Sequence, residues 1–280
     1  MKPRRFAVIG DPVAHSKSPA MHMAAFRALG LPHTYEAIRV TSGELPRVLQ
    51  ALREGQYDGL NVTVPHKQAA LALADDVAVP GTAAANTLVR ARDGRVVAHN
   101  TDVPALAEEL RLLAGPGAPW ASRRALVLGS GGAALAAIAA LRSLGSVDVV
   151  VRARRPCGSH GTGSRRSPWP RADATQPWQP SPSSEAQTLA VVQATSAGMT
   201  GADPGDTLTD VVAWDALAPD AVALDVVYAP PETPFLTAAR ARGLRHANGL
   251  GMLARQGALA FELWLGIPAP LGVMRAALES

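Results

Sequence analysis

Residues 125–145 read ALVLGSGGAALAAIAALRSLG, and the reading of this stretch decides the fold. Ala125 to Leu128 form an uninterrupted apolar run, the pattern of a strand buried on both faces. Gly129, Gly131 and Ala134 then stand in a GxGxxA arrangement. The first glycine permits a tight turn, and the second lets the backbone approach a pyrophosphate. The small third residue lets the next helix pack on the sheet. That helix offers unpaired amides and the positive end of its dipole to phosphates. A second strand, SVDVVVR from Ser146, follows. Strand, glycine turn, helix and strand together predict a Rossmann-like dinucleotide-binding domain. Gly129, Ser130, Gly131, Gly132 and Ala133 are expected at the cofactor's phosphates.

The end of the second strand selects the dinucleotide. NAD sites usually place a carboxylate there for the ribose hydroxyls. Here Arg152, Arg154 and Arg155 follow Asp148 with no acid among them. Guanidinium groups bind a 2′-phosphate in forked, charge-assisted pairs, so NADP is the expected cofactor.

Working outward, strand-like and helix-like runs alternate from the start of the chain. RFAVIG (5–10) reads as a strand and DPVAHSKSP (11–19) as a loop; PAMHMAAFRALG (19–30) is a helix closed by Gly30. TYEAIRV (34–40) is a strand, and SGELPRVLQALREG (42–55) a helix that Ser42 is placed to cap. YDGLNVTV (57–64), HKQAALALADD (66–76) and a hairpin turning at Asp93-Gly94 come next, then a helix from Val103 to about Ala114. This βαβα alternation argues for an α/β domain with a mostly parallel sheet. GPGAPWASRR (115–124) is a linker by composition. Residues 156–186 are rich in Pro, Ser, Gly and Arg and keep no period, so an irregular insertion is expected there. LAVVQATSAGM and AVALDVVY read as strands, and LGMLARQGALAFELWLG (250–266) as a helix with an apolar stripe.

Composition sets the outer bounds. The chain has 280 residues, 48% of them hydrophobic and 18% charged, the balance of a soluble globular protein. Its one cysteine, Cys157, excludes an internal disulfide and fits a reducing compartment. MKPRR is followed by only FAVIG before Asp11 and Pro12, too short for a secretory core, and no apolar run approaches a bilayer span. A cytoplasmic enzyme is expected, with no membrane partner. The formal charge is +4, but much of the excess lies between Arg152 and Arg171 rather than on one helical face. With no zinc-finger spacing and no aromatic-interleaved basic strand, a nucleic-acid partner is not expected.

GLNVTVPHK (59–67) carries the chemistry. Asn61 and Thr63 share one face of a strand that Pro65 stops, since proline lacks the donor a ladder needs. Lys67 stands at the mouth of a helix. With GDPVAHSKSPAMHMAAF, AANTL, HNTD, GSGGA, ATSAGM, DVVYAPPETPFL and GLGMLARQGA in order along the chain, the sequence resembles the shikimate dehydrogenase family over nearly its whole length. The resemblance implies a two-domain enzyme of aromatic amino-acid biosynthesis that reversibly reduces 3-dehydroshikimate to shikimate with NADPH and no metal. It implies Lys67 and Asp102 as the catalytic pair. Ser16 and Ser18 would bind the substrate carboxylate, and Asn61, Thr63, Asn86, Asp102 and Gln256 the ring hydroxyls, with Tyr228 at the pocket edge. On the cofactor side it implies Arg152, Thr195, Ser196, Gly249 and Met252 beside the glycine turn. Residues 1–102, completed by 249–280, would form the substrate domain, and 103–248 the dinucleotide domain. The ligands would meet in a cleft between them, in a monomer or homodimer.

The chain departs from the family pattern on the cofactor side. Its adenine-side motif reads Val151, Arg152, Ala153, with Pro156 where a further arginine is expected, and Arg154 or Arg155 as substitutes. Gln193 replaces an asparagine, and Ala105 a glycine. Two alternatives therefore stand beside the main reading: a quinate/shikimate dehydrogenase using NAD, and a non-catalytic shikimate-binding paralogue.

Overall fold

The computed structural model describes residues 2–79, 81–146, 148–153, 174–176 and 178–279. The chain divides into two compact units, Met1–Asp102 with Leu253–Ser280, and Val103–Met252.

The first unit opens with β1 (Arg5–Gly10), α1 (Ser18–Ala28), β2 (Thr34–Arg39), α2 (Leu45–Arg53) and β3 (Gly59–Val62). It continues through α3 (Lys67–Leu73), β4 (Asp76–Val77), β5 (Thr87–Arg90) and β6 (Val96–His99). These strands form one sheet in the order β2-β1-β3-β5-β6-β4. β1 pairs in parallel with β2 and β3, whereas the β5–β6 hairpin joins antiparallel to β3. The hairpin turns at Gly94, whose φ of +85° is left-handed backbone that glycine adopts without strain. β1 is central and covered on both faces, which is why its residues from Phe6 to Ile9 are all buried. On one face Ala7 and Ile9 pack with Leu45, Leu49 and Leu52, a single stripe of α2.

Two boundaries differ from the sequence reading. Ser42 does not cap α2. Instead Glu44 Oε2 accepts from the Thr41 N–H at 2.8 Å and the Thr41 hydroxyl at 2.7 Å, a turn closed from the acidic side. β3 ends at Val62, although Thr63 N–H still donates to Ile9 O at 2.9 Å, because the proline turn draws the chain out of the ladder.

The second unit comprises α4 (Asp102–Ala114) from Val103 on, β7 (Arg124–Leu128), α5 (Gly132–Ser143), β8 (Asp148–Arg152), β9 (Ala174–Gln176) and α6 (Pro182–Glu185). It is completed by β10 (Thr188–Gln193), α7 (Asp206–Thr209), β11 (Val222–Asp225), α8 (Pro234–Ala241) and β12 (Arg245–Ala247). Its sheet runs β12-β11-β10-β7-β8-β9 with every pair parallel. Ala125 and Val127 face a core built with α5, while Leu126 and Leu128 face another that holds Trp214, Phe235 and Leu236. Two covered faces explain the unbroken apolar run of β7. The linker at 115–124 is partly built into this unit, since Trp120 is buried in a 3-10 turn.

Residues 154–173, including Arg154, Arg155, Pro156 and Cys157, lie outside the described residues. The remainder of the stretch expected to be irregular contains β9, paired with β8, and α6. Three-residue and four-residue elements are too short to leave a period in the sequence.

α9 (Leu250–Leu265) and α10 (Leu271–Glu279) end the chain. From Leu253 onward they belong to the first unit. Trp264 stacks on Phe6 at 4.8 Å and donates its indole N–H to Leu88 O at 3.1 Å, while Lys17 Nζ donates to Leu278 O at 2.6 Å.

Candidate active site

The proline turn after β3 delivers a lysine to a carboxylate. His66 N–H closes the turn on Thr63 O at 3.0 Å, and α3 begins at the next residue. Lys67 Nζ then donates to Asp102 Oδ2 at 2.6 Å, with the two side chains 16% and 5% exposed. Asp102 opens α4, and its N–H donates to Asn100 Oδ1 at 3.0 Å. One ammonium hydrogen is spent on this pair, and the chemistry of –NH₃⁺ leaves two more donors.

Asn86 organises the other carboxylate oxygen. Its Nδ2 lies 2.9 Å from Asp102 Oδ1, 2.9 Å from Thr101 Oγ1 and 3.2 Å from Gln256 Oε1, three acceptors that share its two hydrogens. Its Oδ1 accepts from Thr101 N–H at 2.7 Å. Asn61 is engaged in the same way: Nδ2 donates to Asn86 O at 3.2 Å and Thr87 Oγ1 at 3.0 Å, while Oδ1 accepts from the Tyr35 hydroxyl at 2.7 Å. The amide hydrogens of both asparagines are therefore used inside the protein. Gln256 keeps one, since its other goes to Leu253 O at 3.0 Å.

Lys67, Asp102, Asn61, Asn86 and Gln256 thus share one bonded network, fed by β3, α3, β5, α4 and α9. Ser18 is buried, and its N–H donates to Ser16 Oγ at 3.3 Å. Thr63 is half-buried just past β3, and Tyr228 is half-buried three residues past β11 in the second unit. The sequence reading missed Tyr35, Thr87 and Thr101. The last two sit inside AANTL and HNTD, beside residues already singled out. Tyr35 sits in TYEAIRV, which was read only as a strand.

In the second unit, Gly129 has φ +121°, and a Cβ there would meet Ala194 O and Thr195 Cγ2 at 3.0 Å. Gly131 caps α5 without a side-chain bond, and a Cβ there would meet nothing within 4 Å. Open backbone before an amide-presenting helix start fits a pyrophosphate along residues 129–133. Gln193 shapes the neighbouring turn, donating to Ala197 O at 2.9 Å and accepting from the Thr195 N–H at 2.5 Å. Thr195 is left half-buried and Ser196 exposed. Gly249 lies against the Val226 backbone, and Met252 is packed in the core that includes Leu106.

Arg152 does not present its guanidinium as expected. It is 0% exposed and forks onto Glu185, with Nη1–Oε1 at 2.5 Å and Nη2–Oε2 at 3.1 Å, while Nη1 also donates to Val211 O at 2.7 Å. Burial alone would raise the Glu185 pKa. The Arg152 bonds and the N–H groups of Ala213 and Ser181 outweigh it and hold the carboxyl below its ordinary value. The partner comes from α6, within the stretch read as irregular, where no pattern announced it. Among the described residues no group of three or more His, Cys, Asp or Glu is placed to hold a metal.

One unit with a parallel sheet and a glycine turn, and another holding a lysine–carboxylate pair, define a dinucleotide-dependent α/β oxidoreductase. The family models "Shikimate dehydrogenase substrate binding domain" and "Shikimate 5'-dehydrogenase C-terminal domain" match residues 8–88 and 249–279. A shikimate dehydrogenase (NADP(+)) of Methylobacterium radiotolerans is 39% identical over 273 residues, covering 96% of this chain and 93% of its own. The chain belongs to the shikimate dehydrogenase family. Among solved structures, the Thermus thermophilus shikimate 5-dehydrogenase in complex with NADP(H) and shikimate is 36% identical with a TM-score of 0.79, covering 99% of this chain and 98% of that one. A 5-ketofructose reductase of Gluconobacter is 27% identical with a TM-score of 0.81, covering 100% and 99%. The fold therefore admits other carbonyl substrates, and the site has to make the distinction.

Proposed function

We propose that the chain is an NADP-dependent shikimate dehydrogenase, reducing 3-dehydroshikimate reversibly to shikimate. The observation that carries this reading is the 2.6 Å pair between Lys67 Nζ and Asp102 Oδ2, in a chain of this family. When bound, NADPH supplies the reducing equivalent to the substrate carbonyl carbon. Lys67 gives a proton to the carbonyl oxygen, or stabilises the negative charge developing on it. Asp102 holds the ammonium in place and accepts from the neighbouring ring hydroxyl. Gln256 Nε2 and Thr63 bond further hydroxyls. Ser16 and Ser18 bind the carboxylate with neutral donors, and Tyr228 borders the ring. Asn61 and Asn86 act mainly by fixing the other groups.

Residues 129–133 would hold the pyrophosphate, with Thr195 and Ser196 beside it. Arg152 serves as a buried strut, so contacts to a 2′-phosphate come from other groups. A small-molecule substrate, cytoplasmic placement and a monomeric or homodimeric state go with this reading. No helix among the described residues is long and apolar enough to cross a membrane.

The test follows NADPH oxidation with 3-dehydroshikimate. The parent chain should turn over, and Lys67→Met should lose about 10²-fold or more in kcat, the usual scale of a general acid. No turnover by a folded parent that binds shikimate would favour the non-catalytic paralogue. Higher efficiency with NADH would favour the quinate/shikimate reading.

A further inference from the structure

The polar network does not end at the groups assigned to substrate. It runs into the sheet through one phenol. Tyr35 lies on β2, an edge strand, yet it is 5% exposed. Its hydroxyl is 2.7 Å from Asn61 Oδ1, and an amide oxygen cannot donate, so the phenol proton lies on that bond. One oxygen on β2 thus fixes the amide of Asn61 on β3, which carries a group assigned to the ring.

The ring itself is clamped. His22 stacks on it with centroids 4.2 Å apart and planes 7° from parallel, and the Tyr35 N–H approaches Met23 Sδ at 3.3 Å. Burial raises the Tyr35 pKa well above 10, so the hydroxyl keeps the proton it donates.

We infer that Tyr35 is a positioning residue of the substrate site, which sets the Asn61 amide for a polyhydroxylated cyclic acid. The inference rests on the functional reading above. Without the phenol oxygen, Asn61 Oδ1 becomes a buried acceptor with no donor. Its amide is then free to turn, and the bonds of Nδ2 to Asn86 O and Thr87 Oγ1 go with it. Asn86 is the same residue that holds Asp102 and Gln256.

The experiment is a calorimetric titration of shikimate into the full chain and into Tyr35→Phe, which keeps the ring and its stack. Affinity should fall by about tenfold, the scale of one oriented buried hydrogen bond. A melting temperature that drops with affinity unchanged would mark a merely structural tyrosine and overturn the inference. A double-mutant cycle supplies the second readout: in an Asn61→Ala background the same substitution should weaken binding by less than about threefold. Full additivity would also overturn it. If the parent chain takes up no shikimate, the functional reading fails and the inference with it. If the parent binds and Tyr35→Phe binds equally well, only the inference fails.

Discussion

Acidification puts the histidine behind that stack under load. His22 is 0% exposed, stacked on Tyr35 and tilted against Phe26 and Trp264, and neither ring nitrogen has a hydrogen-bond partner. Burial pushes its pKa down from 6.5 to about 3. Between those values the unfolded chain binds a proton that the folded chain refuses. The stability tied to the neutral ring is complete above pH 6.5 and is lost as pH falls, by about 1.4 kcal/mol per pH unit. At about pH 5 that is roughly 2 kcal/mol, and over the whole shift (6.5 less about 3) roughly 5 kcal/mol. His22→Phe keeps a flat ring in the stack and removes the proton site. Urea unfolding of parent and variant at about pH 7.5 and about pH 5 reads the difference, with the parent losing about 2 kcal/mol more than the variant. Equal losses would refute a buried neutral imidazole at this position.

Three further outcomes follow from the second unit. Glu185→Gln leaves the Arg152 guanidinium buried without its counter-charge, and urea unfolding should record a loss of about 3–5 kcal/mol. Asp225 is pushed up to about 6 by burial, against the bonds from the Thr233 hydroxyl at 2.6 Å and the Val227 N–H at 2.9 Å. Its folded state therefore holds the proton more tightly than the unfolded chain, and stability falls as pH rises from about 4 to about 6. Asp225→Asn should remove that fall, roughly 3 kcal/mol, from the pH profile. Gly129→Ala places a side chain at φ +121°, 3.0 Å from Ala194 O, and should weaken NADPH binding in a fluorescence titration while shikimate binding persists.

How much was legible follows from element length and from where hydrogen bonds end. β7, α5 and β8 declared themselves because a doubly covered strand and an alanine-rich helix leave long apolar runs around the glycine turn. The Lys67 and Asp102 motifs were legible as motifs, but their meeting depends on a turn and a helix start thirty-five positions apart in sequence. β9 and α6 left no period, and the buried pair at Arg152 went unread with them. Arg152 shows the limit of residue type as a guide: a guanidinium at the end of β8 suits a phosphate or an internal carboxylate equally, and only the fold says which is near. Asn61 and Asn86 were read as ligands because amides suit hydroxyls. The structure directs their hydrogens inward, which no spacing in the sequence reports.

That inward turn of the two amides bears on how the pocket meets any ring-shaped acid. Groups already locked to one another lose little freedom when a guest arrives, so most of their ordering belongs to folding rather than to recognition. Selectivity then falls to the few donors still uncommitted, the two remaining Lys67 ammonium hydrogens and the last Gln256 hydrogen among them. An inhibitor that addresses those two would meet a nearly rigid host, while one that tries to recruit Asn61 or Asn86 would first have to unpick the lattice that keeps Asp102 in place.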